Sequence, residues 1–123
     1  MDVGIARERV EGEKRVAATP ESVKQLVGLG LVVVVETAAG RAAGFADADY
    51  EAAGARVVRS LDVAAVDLLA HVRPLDPTIA SRLKPGTITV GLASPSTELP
   101  TVRALADARV TSFALELVPR ISR

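Results

Sequence analysis

Apolar runs and helix-forming segments alternate along this chain. The apolar runs are short and rich in Val, Leu and Ile, which is typical of strands buried on both faces of a parallel sheet. They predict strands at 3–6, 31–35, 56–58, 66–72, 87–92 and 109–113. Helical spacing and capping residues between them predict helices at 20 to about 28, 48–53, 77 to about 83 and 101–108. This alternation predicts an α/β fold of three layers, with a mostly parallel sheet and helices on both faces.

Capping residues mark the expected helix starts. Thr19-Pro20 and Asp76-Pro77 each place a capping side chain before a proline, whose missing N–H costs nothing at the first helical position. Asp47 is expected to cap the second helix, which Gly54 closes. Ser60 is expected to cap a further helical turn before the fourth strand.

Composition narrows the classes of function. The 123 residues include 15 basic and 15 acidic side chains, which argues against nucleic acid or an anionic membrane as the main partner. Aromatic residues make up only 2%, so the core must consist of Val, Leu, Ile and Ala. The sequence has no Cys and one His, and we expect no metal site. Met1 is not followed by a basic and apolar leader, so we expect a cytoplasmic protein.

The segment 7–21 is the most charged part of the chain. It joins the first predicted strand to the first predicted helix. Its charged residues are Arg7, Glu8, Arg9, Glu11, Glu13, Lys14, Arg15 and Glu21. In α/β proteins such a junction often carries ligand chemistry, because free backbone N–H groups and loop side chains converge there. A solvated connection with surface ion pairs explains the same composition.

Several motifs resemble one family. Glu8 and the run Gly12-Glu13-x-Arg15-Val16-Ala17-x-Thr19-Pro20-Glu21 resemble the N-terminal signature shared by alanine dehydrogenases and the NAD-binding alpha subunit of proton-translocating nicotinamide nucleotide transhydrogenase. The likeness continues at Glu36-Thr37-Ala38-Ala39-Gly40, Ala43-Gly44-Phe45-x-Asp47 and Tyr50-x-x-Ala53-Gly54-Ala55. It implies a Rossmann- or flavodoxin-like domain over 1–116. Residues 117–123 would begin the connection to an NAD-binding domain that is absent from this sequence.

The sequence contains no dinucleotide fingerprint. Gly40-Arg41-Ala42-Ala43-Gly44 lacks the GxGxxG spacing, and no Walker-type Lys-Ser/Thr pair follows it. We therefore expect this segment to be a glycine-hinged surface loop. In the enzymes that the chain resembles, the fingerprint lies in a second domain, beyond the position of Arg123.

Arg15 is the candidate residue for a substrate pocket. Its guanidinium offers planar donors that match a carboxylate, and in alanine dehydrogenases the matching arginine binds the substrate carboxylate. The alternative is a structural arginine that ties the loop down through Glu8 or Glu13. The lysine and the catalytic histidine of alanine dehydrogenases correspond to Val72 and Gly91 here, so the acid–base pair of those enzymes is missing.

His71 is the only histidine and ends the fourth predicted strand. A lone histidine at a strand end is more often a hydrogen-bonded structural residue than a catalyst. It is also offset from the catalytic histidine of the family. We therefore expect a structural role for His71, and we assign no catalytic residue from the sequence.

The closing segment favours the transhydrogenases over the alanine dehydrogenases. It ends in Pro119-Arg120-Ile121-Ser122-Arg123, which is very similar to transhydrogenase alpha subunits, where Pro-Arg-Ile-Ser-Arg leads into Ala-Gln-Ser-Met-Asp. In those subunits the arginine that matches Arg120 lies beside the nicotinamide of bound NAD(H). The resemblance therefore implies that Arg120 lies on the nicotinamide side of a cofactor site.

The same resemblance implies a function for the whole subunit. It would transfer hydride between its own NAD(H) and NADP(H) on a partner subunit, while a membrane component couples the transfer to proton movement. The expected partners are those two components, and the full subunit is expected to be a homodimer. It would be peripheral to the inner membrane through the complex, and this piece alone is expected to be inactive.

Two other interpretations stay open. One is an alanine dehydrogenase-like enzyme with altered substrate residues. The other is a stand-alone, non-catalytic module that binds a small acidic ligand or a partner. A stop codon after Arg123 favours the module, and continuation into Ala-Gln-Ser-Met-Asp excludes it. Half of a nucleotide cleft would expose an apolar face, which predicts self-association of the chain.

Overall fold

A single parallel sheet organises the molecule. The computed structural model describes residues 1–73, 75–91 and 111–114. Its strands are β1 (Asp2–Ile5), β2 (Val32–Glu36), β3 (Arg56–Val58), β4 (Leu68–Ala70), β5 (Ile88–Gly91) and β6 (Thr111–Ala114). Their order is β3-β2-β1-β4-β5-β6, and each described pair of neighbours is parallel. This order is the one found in doubly wound dinucleotide-binding folds, so the predicted α/β fold is confirmed.

Helices cover both faces of the sheet. They are α1 (Pro20–Gly28), α2 (Asp47–Ala52) and α3 (Pro77–Ala80), with a 3-10 helix at Arg41–Ala43. One core cluster joins α1 and α2 to alternate residues of β1 and β2: Val3, Ile5, Val33 and Val35. The other joins α3 to Val34 and Leu69, which point to the opposite face.

The β3–β4 connection differs from the prediction. Residues 59–67 contain no helical turn, so the expected cap at Ser60 is wrong. Instead Leu61, Val63 and Val66 are buried against the sheet. They fit there because β1 has a glycine at its centre: a Cβ on Gly4 would lie 2.9 Å from Val66 Cγ1 and 3.1 Å from Leu61 Cδ2. A segment with a tight turn, in which the Ala65 amide donates to the Asp62 carbonyl at 3.0 Å, thus covers the face where a helical turn was expected.

The helix starts are confirmed at two of the four predicted caps. Thr19 accepts from the amide of Ser22 at 3.1 Å, and Asp76 accepts from the amide of Thr78 at 2.8 Å. Asp47 is not a cap but the first helical residue of α2. Its carboxylate reaches back instead, accepting from the Ala38 amide at 2.9 Å and from the Thr37 hydroxyl.

Two further boundaries are corrected. Helix α3 ends at Ala80 rather than near Leu83, because the amides of Arg82 and Leu83 donate to carbonyls three residues back instead of four. Strand β4 is shorter than the predicted 66–72. The expected helix at 101–108 and the segment 116–123 lie outside the described residues. Within the described part, no helix is long and apolar enough to cross a bilayer.

Candidate functional site

The carboxyl ends of β1 and β4 form the point where the sheet reverses its winding. These strands are neighbours, but the chain leaves β1 towards α1 on one face and leaves β4 towards α3 on the other. In open parallel sheets a crevice forms at such a point, and ligands bind there. The charged segment between β1 and α1 lies at this edge. We call residues 7–15 the charged loop.

Glu36, at the carboxyl end of β2, anchors the start of the charged loop. It is only 3% exposed. It accepts from the Arg7 amide at 2.8 Å, from the Leu61 amide at 3.3 Å and from both terminal nitrogens of Arg9 at 3.1 and 2.8 Å. Burial by itself would raise the pKa of Glu36, but these hydrogen bonds outweigh it and lower the pKa. The carboxylate is therefore charged and fully engaged.

Glu8 ties the charged loop to the end of β4. Its two oxygens accept from the backbone amides of Val72 and Arg73, each at 3.0 Å. These contacts join residues more than sixty positions apart. They provide acceptors for two amides that take no part in the strand pairing of β4. The charged loop is therefore attached both to the end of β2 and to the end of β4.

Glu13 closes the loop on itself. It accepts from the Arg15 amide at 2.9 Å, from Arg15 Nε at 3.0 Å and Nη2 at 2.8 Å, and from Arg73 Nε at 2.8 Å. The two guanidinium bonds of Arg15 form a bidentate pair, the strongest geometry of this kind. They hold the pKa of Glu13 down at about 2. The structural role that the sequence suggested for Arg15, a tie to Glu13, is therefore present.

The depressed pKa of Glu13 predicts a loss of stability in acid. The folded carboxyl has a pKa of about 2 against an ordinary value of 4.5, so its contribution is complete above 4.5 and disappears as the pH falls towards 2. Urea unfolding between pH 6 and pH 2.5 should show the parent chain losing more stability than Glu13→Gln. The matched control is Glu11→Gln in the same loop, which should follow the parent. A Glu13→Gln curve parallel to the parent would contradict the assignment.

His71 is buried beside the loop, at 6% exposure. Its Nδ1 lies 2.8 Å from the carbonyl oxygen of Arg73. A carbonyl only accepts, so Nδ1 is the donor and the neutral ring carries its lone pair on Nε2. Burial lowers the pKa of His71 and keeps the ring neutral. Nε2 is buried with no hydrogen-bond partner among the described residues.

Gly91, the position that corresponds to the catalytic histidine of alanine dehydrogenases by resemblance, has no room for a side chain. A Cβ there would collide with the carbonyl oxygen of His71 and would lie 2.6 Å from its ring atom Nδ1. Val72, at the position of the alanine dehydrogenase lysine, is 9% exposed. Neither residue has a side chain that could transfer a proton at these two positions.

Cavities lined by described residues lie on two sides of the charged loop. Cavity A, of about 540 Å³, lies towards α3 and is lined by Arg7, Arg9 and Arg73 above an apolar floor. Cavity B, of about 290 Å³, is lined by Arg7, Arg15 and Arg41 with Glu8 and Glu13. Arg7 and Glu8 line both. Arg15, the residue predicted for a substrate pocket, therefore lines cavity B, and its side chain is 61% exposed.

The β1–α1 junction does not fit the pyrophosphate of a dinucleotide. That group needs free amides at the helix start and a glycine-rich turn. Here Pro20 has no N–H, Thr19 already occupies the Ser22 amide, and Glu21 adds a negative charge to the first turn. Within the described residues there is also no group of three or more acidic, His or Cys side chains that could hold a metal ion.

The sequence also matches a protein-family model. The model for the alanine dehydrogenase/PNT N-terminal domain matches residues 4–123. The chain belongs to that family. The resemblance inferred from the loop motifs is therefore confirmed.

Individual relatives come from both branches of the family. The chain is 39% identical to the NAD(P) transhydrogenase subunit alpha of Cereibacter sphaeroides over its whole length. A transhydrogenase structure from Sinorhizobium meliloti superimposes on 99% of the chain with a TM-score of 0.93 and 38% identity. The alanine dehydrogenase of Halomonas elongata is 35% identical over 96% of the chain. The chain spans 24%, 37% and 32% of these proteins, respectively.

Sequence reasoning missed the residues that hold the site together. It quoted Glu8 and Glu36 as parts of motifs but gave Glu36 no role. A signal was available, since Glu36 follows four valines in a strand predicted to be buried, and a buried carboxylate needs partners. Arg120 lies outside the described residues, so its expected place beside the nicotinamide stays a prediction.

Proposed function

We propose that this chain is the N-terminal part of the NAD(H)-binding alpha subunit of a proton-translocating NAD(P)⁺ transhydrogenase and forms one wall of its nucleotide cleft. The observation that carries the proposal is the pairing of a dinucleotide-type strand order with a β1–α1 junction that cannot cradle a pyrophosphate. The crevice lies where folds of this kind bind a nucleotide, but the residues that bind its pyrophosphate must belong to another domain. Residues 1–116 form one wall of the cleft, and 117–123 begin the connection to the pyrophosphate-binding domain.

The proposed reaction is hydride transfer between NAD(H) on this subunit and NADP(H) on a partner. The names of the transhydrogenase relatives support an oxidoreductase subunit with partner subunits. Arg120 lies on the nicotinamide side and helps to orient the ring. The full subunit is a homodimer on the cytoplasmic side of the inner membrane, held there by a membrane component that moves protons.

The described residues contribute a rigid wall to this proposal. Glu36, Glu8 and Glu13 fix the charged loop to β2, to the end of β4 and to itself. Hydride transfer depends steeply on the distance and angle between the two reacting rings, so a wall that does not move supports a fixed ring position. The arginines of cavity B face the same edge and suit the negative charge of a nucleotide.

The alternative in the same family is an alanine dehydrogenase-like enzyme. Arg15 lines cavity B with a partly exposed side chain, which suits a small carboxylate. The buried Val72 and the crowded Gly91 count against it, because amination of a keto acid needs proton transfer at the reacting carbon. The third interpretation, a stand-alone module, would need a ligand site that is complete within this chain, and the β1–α1 junction offers no such site for a nucleotide.

Deuterium transfer tests the proposal in the complete subunit that carries this domain, mixed with its NADP-binding partner. With NADH deuterated at the transferred position, the label should appear in NADPH. Arg120→Gln should lower the rate by roughly tenfold or more, the scale of one lost charge-assisted contact, whereas Arg123→Gln serves as the matched control. Oxidation of NADH that needs pyruvate and ammonium, but no partner, would instead establish the alanine dehydrogenase alternative.

A further inference from the structure

Cavity A is built like a small-molecule site. Its volume of about 540 Å³ falls within the usual range for ligand pockets. Its floor contains Leu61, Val63, Leu69 and Leu75, which are all at most 8% exposed. A floor of this kind favours the hydrocarbon part of a ligand and disfavours a bare phosphate, which would lose its hydration there.

The acidic groups at the rim of cavity A all accept hydrogen bonds from other groups of the chain. The lining carries three arginines and three carboxylates, so its formal charge is zero. Glu36 is held by Arg9 and two amides, and both oxygens of Glu8 accept backbone amides. Asp76 accepts from the amide of Thr78 in its role as a cap.

Two of the three arginines have donors to spare. In the described part of the chain, the side chain of Arg7 has no hydrogen bond or ion pair, although Arg7 is fixed in place through its amide. Arg73 uses only Nε, in its bond to Glu13. Because guanidinium groups pair best with planar oxyanions, these spare donors favour a carboxylate.

We propose that cavity A binds a small organic acid, with its carboxylate on Arg7 and on the terminal nitrogens of Arg73, and with its hydrocarbon body on the leucine-rich floor. Cavity A is distinct from cavity B, where Arg15 lies, although Arg7 and Glu8 line both, and it lies at the crevice for which the nucleotide cleft function is proposed. The proposal does not rest on that function, because binding is measured without any nucleotide.

The test uses benzoate as the probe and benzamide as its neutral isostere. Backbone amide NMR of the 123-residue chain is followed during each titration. Benzoate should bind with a dissociation constant of about 1 mM or tighter, with shifts at the amides of Leu61 and Ile79. Benzamide should bind at least roughly tenfold more weakly. Equal affinities for the two probes, or no benzoate binding up to about 10 mM, would overturn the proposal.

Variants separate cavity A from cavity B. Arg7→Gln should weaken benzoate binding roughly tenfold or more, while Arg41→Gln, which alters cavity B but not cavity A, should leave it unchanged. Ile79→Trp should fill cavity A and abolish binding, with Leu29→Trp on the exposed surface as its control. If Ile79→Trp fails to fold, Ser60→Trp at the exposed rim of the same cavity takes its place. Loss of binding in Arg41→Gln would place the anion in cavity B and refute the assignment.

Discussion

Replacing Glu36 by alanine should lower the free energy of unfolding by about 3 kcal/mol. The change removes the acceptor of the buried Leu61 amide and of the partly buried Arg7 amide, and a buried amide left without a partner costs about 1–3 kcal/mol. The ion pair itself adds little, because the Arg9 side chain is 57% exposed and water can solvate it once it is released. Urea unfolding monitored by circular dichroism measures the loss.

Two companion variants distinguish the amides from the ion pair. Arg9→Gln removes the charge partner and keeps both amide bonds, so it should cost less than about 1 kcal/mol. Glu36→Gln keeps one amide oxygen as an acceptor and should fall between the other two variants. If Arg9→Gln destabilised the chain as much as Glu36→Ala, the ion pair would be the main anchor of the charged loop and this account of Glu36 would be wrong.

Replacing Gly91 by alanine should cost about 2–3 kcal/mol. The new Cβ would meet the carbonyl oxygen of His71, which is backbone and cannot rotate away, as well as the imidazole ring. The double variant Gly91→Ala/His71→Ala should recover only part of the loss, because removing the ring leaves the carbonyl contact in place. Thermal and urea unfolding of the single and double variants measure both effects.

Gly28→Ala is the matched control for that substitution. A Cβ on Gly28 has no heavy atom within 4 Å, and the residue lies at the end of α1. Alanine there should raise stability by about 0.5–1 kcal/mol, because it restricts the unfolded chain and favours the helix. A Gly91→Ala chain as stable as the parent would show that β4 and β5 can separate, and position 91 could then accept larger residues.

Local signals in the sequence were enough to predict most of the fold. The valine-rich run before Glu36 predicted β2, and the Thr19-Pro20 and Asp76-Pro77 pairs predicted the starts of α1 and α3. These signals depend on a few neighbouring residues, so they can be read without the tertiary structure. The alternation of elements then gave the parallel sheet, because a helix between two strands of one sheet returns the chain to the same end, and the second strand then runs in the same direction as the first.

What could not be predicted depends on contacts between distant residues. Glu8 accepts amides from residues more than sixty positions away, and nothing in its local sequence specifies them. The β3–β4 connection was misjudged because the space above Gly4 decides its path, and that space exists only once β1 lies in the sheet. The cavities have the same origin, since their walls come from loops that meet only at the carboxyl edge of the sheet.

The most direct test of the cleft-wall proposal is an NADH titration by calorimetry. The 123-residue chain is compared with the same chain extended through the domain that follows this one in its transhydrogenase relatives. The account predicts binding by the extended chain and no heat of binding from the short one, because the described β1–α1 junction offers no pyrophosphate cradle. Tight binding of NADH by the short chain would contradict the account and would place a complete nucleotide site within these 123 residues.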